Sequence, residues 1–487
     1  MKKSGWIYFP AAFFFVINFA VSETKILFFS RLLHFLFFIS LFFLLRRFDL
    51  NKILKAAVAG VSVIIFSYGV FQKFFLFPHY LKSLSPGDNF YSQALITRIK
   101  SGRIFSIFAL PTLYAIVCAV LILFIFHYLI KSRGVKNRAG WMILLLLGLF
   151  NLILTQSFGG ILYLSAGIML YLILSGILDF KFLAPAVMAL VFFFFLVTGL
   201  RFSEAKELEP VKLRVSNWKQ AVRMIEVNPF FGQGLGNYES QISYFILPDE
   251  ARSIYAHNFI LQFTAESGVI FPFFILLLLL CCRKKLKPRD YRKNEKVLHI
   301  SALFILLCYN LIDIGFYFFS AAVVGVVCLS QVYRRSVENK RGFKLNMALT
   351  FFLGLFLAAG NFSDMYRHRG DFWLNQADYT EAGNNYGISL KINPYNIRSL
   401  AGCAYIQYHN NNIPRCEHYV DRALQILPGA GFANFLASRI AYKRKQYLRA
   451  LYYAGKAREK NRLNLQYKRW YDSIENNLQA ALVKPGN

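Results

Sequence analysis

Acidic residues are scarce in this chain: 25 Asp and Glu stand against 56 Lys and Arg in 487 residues, a formal net charge of +31. In a soluble protein that excess would point to nucleic acid. Here the basic residues sit in short clusters between apolar blocks, the pattern that orients membrane helices, so nucleic acid is excluded as a partner. Cysteine is scarce as well, at seven. No Cys-x-x-Cys pair and no neighbouring histidine at ligand spacing exist, which argues against a metal framework. Cys403 and Cys416 either pair or fill small helix-packing positions. No small-residue cleavage site follows Met1-Lys2-Lys3 and the apolar stretch after it, so that stretch reads as an uncleaved first helix. No Gly-x-Gly-x-x-Gly sits between a strand and a helix, which removes the usual signal for a nucleotide cofactor.

What is abundant is apolar: 56% of the residues, with 52 phenylalanines. Stretches long enough to span a bilayer occur at roughly 5–22, 26–45, 53–77, 102–130, 139–157, 160–178, 182–200, 257–282, 297–313, 317–333 and 345–361, or about eleven spans. The basic clusters are Lys2/Lys3, Arg46/Arg47/Lys52/Lys55, Lys131/Arg133/Lys136/Arg138, Arg283 to Lys296, and Arg334 to Lys344. With the N-terminus inside, all of them fall on the cytoplasmic face. The loops 78–101 and 201–256 then lie outside. The second carries seven basic and seven acidic residues, a balance suited to translocation. The fold class expected is all-α: a polytopic bundle over 1–361, followed by extracytoplasmic helical repeats over 362–480 and a short tail, 481–487.

The repeats rest on a 34-residue step that carries Pro394 to Pro428. In the same register one column reads Gly370, Ala404, Ser438. Two others read Ala382, Cys416, Ala450 and Ser389, Ala423, Ala457. Small residues there let the helices of a hairpin approach closely, as in about three tetratricopeptide-type repeats. Such arrays bind a protein partner in a concave face, or serve as a cap on the membrane domain.

The chemistry concentrates in 201–256 and the helix after it. Val211, Val215, Trp218, Val222 and Ile225 recur at helical spacing, flanked by Arg214, Lys219 and Arg223, which describes an amphipathic helix against the membrane or the bundle. Arg214 lies one turn before Trp218. Asn228-Pro229 ends that helix, and Gly232, Gly234 and Gly236 let backbone approach an anion. His257 then opens the next span, with Asn258, Gln262 and Glu266 at i, i+4, i+8 forming one polar stripe. Such a stripe faces a cavity or a helix–helix seam. A neutral imidazole beside an anion and arginines forms a general-base arrangement. Arg98, Lys100 and Arg103 form a basic group that grips phosphate or anchors headgroups, and Asn310 and Asp313 lie where an acid could orient His257. Arg31 and Lys73, within apolar stretches, read as snorkelling residues or as marks of misplaced span boundaries.

LRVSNWKQAVRMIEVNPFFGQGLGNY followed by YAHNFILQFTAESGVIF resembles the signature of the O-antigen ligase superfamily, which includes lipopolysaccharide O-antigen ligases, polysaccharide polymerases and O-linked protein oligosaccharyltransferases. Arg214 with Trp218, then Pro229, Gly232, Gly234 and Gly236, then His257 with Asn258 occupy the motif in order. SGRIFSIFALPTLYA resembles an earlier family segment and points to Arg103. Where many relatives carry Ser-Arg-Gly, this chain has Ser157-Phe158-Gly159. The resemblance implies an enzyme of the bacterial cytoplasmic membrane. It would move a glycan from undecaprenyl diphosphate to an acceptor hydroxyl on the outer face, inverting the anomeric centre without metal or other cofactor. The acceptor would be lipid A–core, a growing glycan or a protein. His257 and Arg214 would be catalytic, and Arg103, Arg223, Arg98, Trp218, Asn258, Gln262, Glu266, Gly234 and Asp313 would bind substrate. A polymerase or a protein oligosaccharyltransferase is the alternative within the superfamily. A transporter of lipid-linked sugars, or a membrane anchor for the repeats, is the alternative outside it.

Overall fold

The computed structural model describes residues 14–83, 99–179, 209–273, 295–334 and 340–483, apart from 109, 248–249, 251–252 and 462–463. The expected span at 182–200, the loop residue Arg98 and most of the basic run from Arg283 lie outside the described residues. Within them every regular element is a helix.

A short helix α1 (14–21) turns at residues 22–24 into α2 (Lys25–Leu45). α3 (Asn51–Phe71) continues through a π-helical turn, Gln72–Leu76, into Phe77–Ser83. α4 (Pro111–Lys131), α5 (Val135–Leu154) and α6 (Phe158–Leu174) follow, then α7 (Glu209–Val227) and α8 (Phe259–Ser267). α9 (Lys296–Asn310), α10 (Phe319–Val332) and the long α11 (Lys340–Asn375) complete the apolar part. Five of these segments are long and apolar enough to cross a membrane: α2, Asn51–Leu81, α4, α5 and Phe343–Asn375. Three shorter apolar helices, α6, α9 and α10, lie beside them.

α4 is the axis of the bundle. Its Tyr114, Ala115, Ile116, Cys118, Ala119, Ile122, Leu123 and Ile125 are wholly buried against α3, α5, α6 and α9. With lipid tails as apolar as leucine, helices associate through close packing, which favours small residues at the seams. Gly167 of α6 shows it: a Cβ there would come within 2.3 Å of Ile305 Cγ1 on α9. Burial in the periphery is one-sided, with Phe71, Phe74, Phe75, Phe351, Phe352 and Phe356 left facing outward.

The basic clusters gather at one end. Arg334 pairs with Asp49, Arg47 lies over the Phe343 ring, Lys55 over Tyr128, and Leu50 N–H donates to Gln331 Oε1 at 3.3 Å. The opposite end carries the α1–α2 turn, the π turn of α3, the start of α4 and the end of α9.

α11 has 36 residues, about 54 Å at 1.5 Å per residue, so it leaves the bundle without a break at 361/362 and supplies the first helix of the C-terminal array. α12 (Tyr379–Ile392), α14 (Ile413–Ile426) and α16 (Tyr447–Lys460) begin 34 residues apart, as do α13 (Ile397–His409), α15 (Gly431–Lys443) and α17 (Leu465–Val483). Asp378, Asn396 and Asn412 cap their helices by accepting from backbone N–H groups of the first turn. The small columns are all buried: Ala382, Cys416 and Ala450, then Ser389, Ala423 and Ala457, at 0% exposure, with Ala404 at 1% and Ser438 at 0% beside them. Cys403 and Cys416 are free thiols, each buried in this packing.

Gly167→Leu, which drives a side chain into Ile305, should lower stability by on the order of 1–3 kcal/mol. Gly140→Leu, whose Cβ meets nothing within 4 Å, should leave it nearly unchanged. Thermal unfolding of the two variants in detergent checks the difference, and equal midpoints would refute close α6–α9 packing.

Candidate active site

The floor of the site is a backbone-on-backbone contact. After α7, Asn228-Pro229 stops the helix, and the loop 229–237 runs along the C-terminal turn of α8. Gln233 and Gly234 N–H donate to the Ala265 and Glu266 carbonyls at 3.0 and 2.9 Å, and Val269 N–H donates back to Pro229 O at 2.8 Å. The approach admits no side chain. A Cβ on Gly232 would lie 2.4 Å from the Glu266 carbonyl carbon, and one on Gly268 would lie 2.1 Å from Phe230 O. Gly268, at φ +69°, also ends α8. The single span expected over 257–282 therefore does not form as one unbroken helix. α8 is a nine-residue piece whose last turn is held by the loop.

Two other elements close around this floor. Asn18 of α1 donates to Phe231 O and Glu266 O at 2.6 and 3.0 Å and accepts from Leu235 N–H at 2.9 Å. Asn237 donates to Ser22 Oγ at 2.6 Å and accepts from Thr24 N–H at 3.0 Å. The polar stripe of α8 points into the same network. Gln262 Oε1 accepts from Ala256 N–H at 3.1 Å, and Glu266 Oε2 from Gly236 N–H at 2.7 Å. Asn258 caps α8 and donates to Leu311 O at 2.8 Å. These three side chains thus bond main-chain groups of the segments around α8. Gly234, at φ +93°, packs its Cα against Ser22.

Above the floor stands His257, in the left-handed region at φ +51°. Three contacts hold that uncommon backbone. Trp218 Nε1 donates to His257 O at 3.2 Å, Phe259 N–H donates to Asp313 O at 3.0 Å, and His257 Nδ1 lies 3.2 Å from Asp313 Oδ1. Asp313, 3% exposed, also accepts from Ile314 N–H and has Arg214 Nη2 at 3.9 Å from its other oxygen. Burial alone would raise its carboxyl. The His257 hydrogen bond and the His257 and Arg214 charges prevail, and hold it below the ordinary 3.8. Arg214 and His257 keep 34% and 29% of their side chains exposed. Loose contacts of this kind suit a site that tightens when substrate arrives. With Nδ1 turned to Asp313, Nε2 is the ring atom open to an acceptor proton.

Of the other expected residues, Arg103 lies at the same end of the bundle, where Gln72 of the π turn accepts from Phe105 and Ser106 N–H at 2.9 Å each and Lys73 donates to Gly102 O at 2.8 Å. Arg103 Nε donates to Thr155 O at 3.0 Å. Lys73 is thus a loop anchor, not a snorkelling residue. Arg223 is engaged by the segment between α7 and α8, through Glu250 and Phe245 O. Val215 and Val222 of the expected stripe on α7 are 40% exposed, while Asn217, Gln220, Ala221 and Met224 form the buried face. Sequence reasoning missed Asn18, Asn237 and Tyr317; the first two are single asparagines with no spacing signal.

The arrangement is that of a multi-pass helical membrane protein with a His–Asp–Arg cluster at one end, on a glycine-built floor. Residues 141–276 match the family model described as O-antigen ligase, a match that supports the O-antigen ligase superfamily. No curated protein matches the chain. The superfamily implies glycosyl transfer and, in general terms, glycan and lipid-linked substrates.

Because the folded carboxyl of Asp313 titrates below its unfolded value, its charge favours the fold above about pH 4 and that contribution is lost as pH falls through the folded value. Asp313→Asn should therefore be less stable than the wild type near about pH 7, with the gap narrowing as pH falls through the depressed folded value. Thermal unfolding against pH measures this; a gap that does not change with pH would refute it.

Proposed function

We propose that the protein transfers a glycan from undecaprenyl diphosphate to an acceptor hydroxyl on the outer face of the bacterial cytoplasmic membrane. The observation that carries this reading is the His257–Asp313–Arg214 cluster, held by Trp218 in a site half open to solvent. The clustering of Arg47, Lys55 and Arg334 at the opposite end supports an orientation with that end cytoplasmic.

His257 Nε2 takes the proton of the acceptor hydroxyl, and Asp313 stabilises the imidazolium that forms. The acceptor oxygen attacks the anomeric carbon from the side opposite the diphosphate. As that bond forms, the carbon–oxygen bond to phosphorus breaks and the diphosphate leaves with the electron pair. It needs no proton, only charge neutralisation, which Arg214 and Arg103 supply. Arg103 compensates for Phe158: its tie to Thr155 O brings a guanidinium three residues along the chain from the place where many relatives carry arginine. Arg223 shapes the loop around Glu250 and takes no part in the transfer.

Within the superfamily, one feature favours a macromolecular acceptor. The helical array, which we read as tetratricopeptide-type, is docked beside the site: Arg398 pairs with Glu239 at 2.6 Å, and Lys460 pairs with Glu23 at 3.2 Å and lies over the Tyr244 ring. A partner or acceptor held by the repeats would reach His257 without crossing open solvent.

With a defined lipid-linked glycan in proteoliposomes, His257→Ala should reduce transfer by about 10²–10⁴-fold, the range of general-base catalysis, while donor binding persists. Arg214→Ala should weaken both. Full transfer by His257→Ala to every acceptor offered (lipid A–core, glycan and protein) would overturn the base assignment. Protease digestion of the array in spheroplasts checks the orientation, which protection from the outside would refute.

A further inference from the structure

Arg31 reads from sequence as a snorkelling residue, and the structure gives it other surroundings. It stands six residues into α2, roughly 9 Å from that helix's site end. Its guanidinium lies 4.2 Å from the centroid of the Tyr317 ring. Its stem passes Gly236, where a Cβ would come within 2.7 Å of Arg31 Cγ and 2.9 Å of Leu27 O. The glycine, at φ +78°, leaves α2 room to lie against the loop. Among the described residues Arg31 makes no hydrogen bond and no ion pair. Its charge acts on Glu266, which is fully buried, with one oxygen on Gly236 N–H. An arginine inside a membrane helix is costly unless an anion or polar partner meets it. A partly buried guanidinium stacked on tyrosine keeps its fork of donors free for a planar or tetrahedral oxyanion.

Arg31 and Arg214 approach the 253–258 turn from different elements. Arg214 reaches Asp313 behind His257. Arg31 reaches Tyr317, whose ring in turn packs at 6.3 Å from Tyr255. We infer that Arg31 is a second phosphate-binding group, which takes a phosphate oxygen of a lipid substrate on the Tyr255 flank of His257, apart from the diphosphate contact of Arg214. This rests on the proposed function for its lipid-linked diphosphate. The same chemistry would also accept the phosphate of a bilayer lipid headgroup.

The test uses the full chain in phosphatidylcholine nanodiscs, titrated with undecaprenyl diphosphate, with phosphatidylglycerol as competitor. Arg31→Ala should weaken undecaprenyl diphosphate binding ten-fold or more at an unchanged unfolding midpoint, and Arg31→Lys should recover most of the loss. Phosphatidylglycerol that displaces the probe from the wild type but binds Arg31→Ala poorly would identify a headgroup as the ligand. If the wild type retains phosphatidylglycerol through Arg31 and does not bind undecaprenyl diphosphate, the phosphate site stands and the donor reading fails. Two results overturn the inference: binding by Arg31→Ala equal to wild type for both lipids, or full recovery of binding when Glu266→Gln is added to Arg31→Ala. The second would show that Arg31 serves only to balance Glu266.

Discussion

Everything at the site depends on how closely loop 229–237 lies on the last turn of α8. That contact is made by main chain on both sides, so its strength comes from hydrogen bonds in a place with little water, where an unpaired amide is costly. It also fixes distances that side-chain packing would leave adjustable. Because the loop is the continuation of α7 and α8 is the continuation of the His257 turn, one contact sets Trp218 and Arg214 relative to His257. α1 and the Ser22–Thr24 turn close it from a third side through Asn18 and Asn237. The first membrane helices therefore belong to the site as much as the outer loop does.

The electrostatic design separates arginines that are used by the protein from those that are available. Arg223, bonded to Glu250 and to Phe245 O, holds the segment between α7 and α8. Arg367 is spent between Asp364 and Asp371 in the first helix of the array. Arg214 touches its acid only at 3.9 Å and keeps a third of its side chain exposed. That distance would matter for the leaving diphosphate of the proposed reaction. A guanidinium already locked in a bidentate pair would have to break it before meeting the new charge, whereas one held loosely loses little. Asp313 can serve both His257 and Arg214 because it is buried and already charged.

The sequence made the class of fold legible through apolar length and the placement of lysine and arginine, and Arg214, Trp218, the three glycines and His257, singled out by their spacing, are residues the structure brings together in the candidate site. The partnership of His257 with Asp313 was visible only as a possibility, since 56 residues separate them. What stayed hidden has physical reasons. The polar stripe Asn258–Gln262–Glu266 has the same spacing whether it lines a cavity or bonds a loop, and only the position of Ala256 and Gly236 N–H decides for the loop. The 257–282 stretch is apolar enough to span, yet Gly268 breaks it because Pro229 O offers Val269 N–H a better partner than helix continuation. α11 crosses the expected domain boundary since nothing in 355–375 stops a helix: no proline occurs there, and Gly370 packs against Tyr386 instead of turning. Arg31 had no signal at all, because an isolated cation in an apolar run looks the same whether it snorkels or faces a site.

The helical array raises a question of economy that the bundle alone does not. Its small-residue columns are enough to hold the hairpins together, so the ion pairs Arg398–Glu239 and Lys460–Glu23 are not needed for its fold. Arg398–Glu239 is exposed and contributes about 0.2–1 kcal/mol, and Lys460, buried at 8% exposure, must offset its own desolvation before its pair with Glu23 adds anything; two such pairs do not fix a domain by themselves. The rigid connection is α11, which is one helix from bundle to array. The ion pairs then select the rotational position of the array about that rod, and they do so at Glu23 and Glu239, on the two segments that also hold the glycine loop. A ligand that pulls on the array would be felt first at the turn of Ser22–Thr24 and at the helix start near Tyr238. The loop beneath His257 is thus the place where the helical array and the candidate site meet.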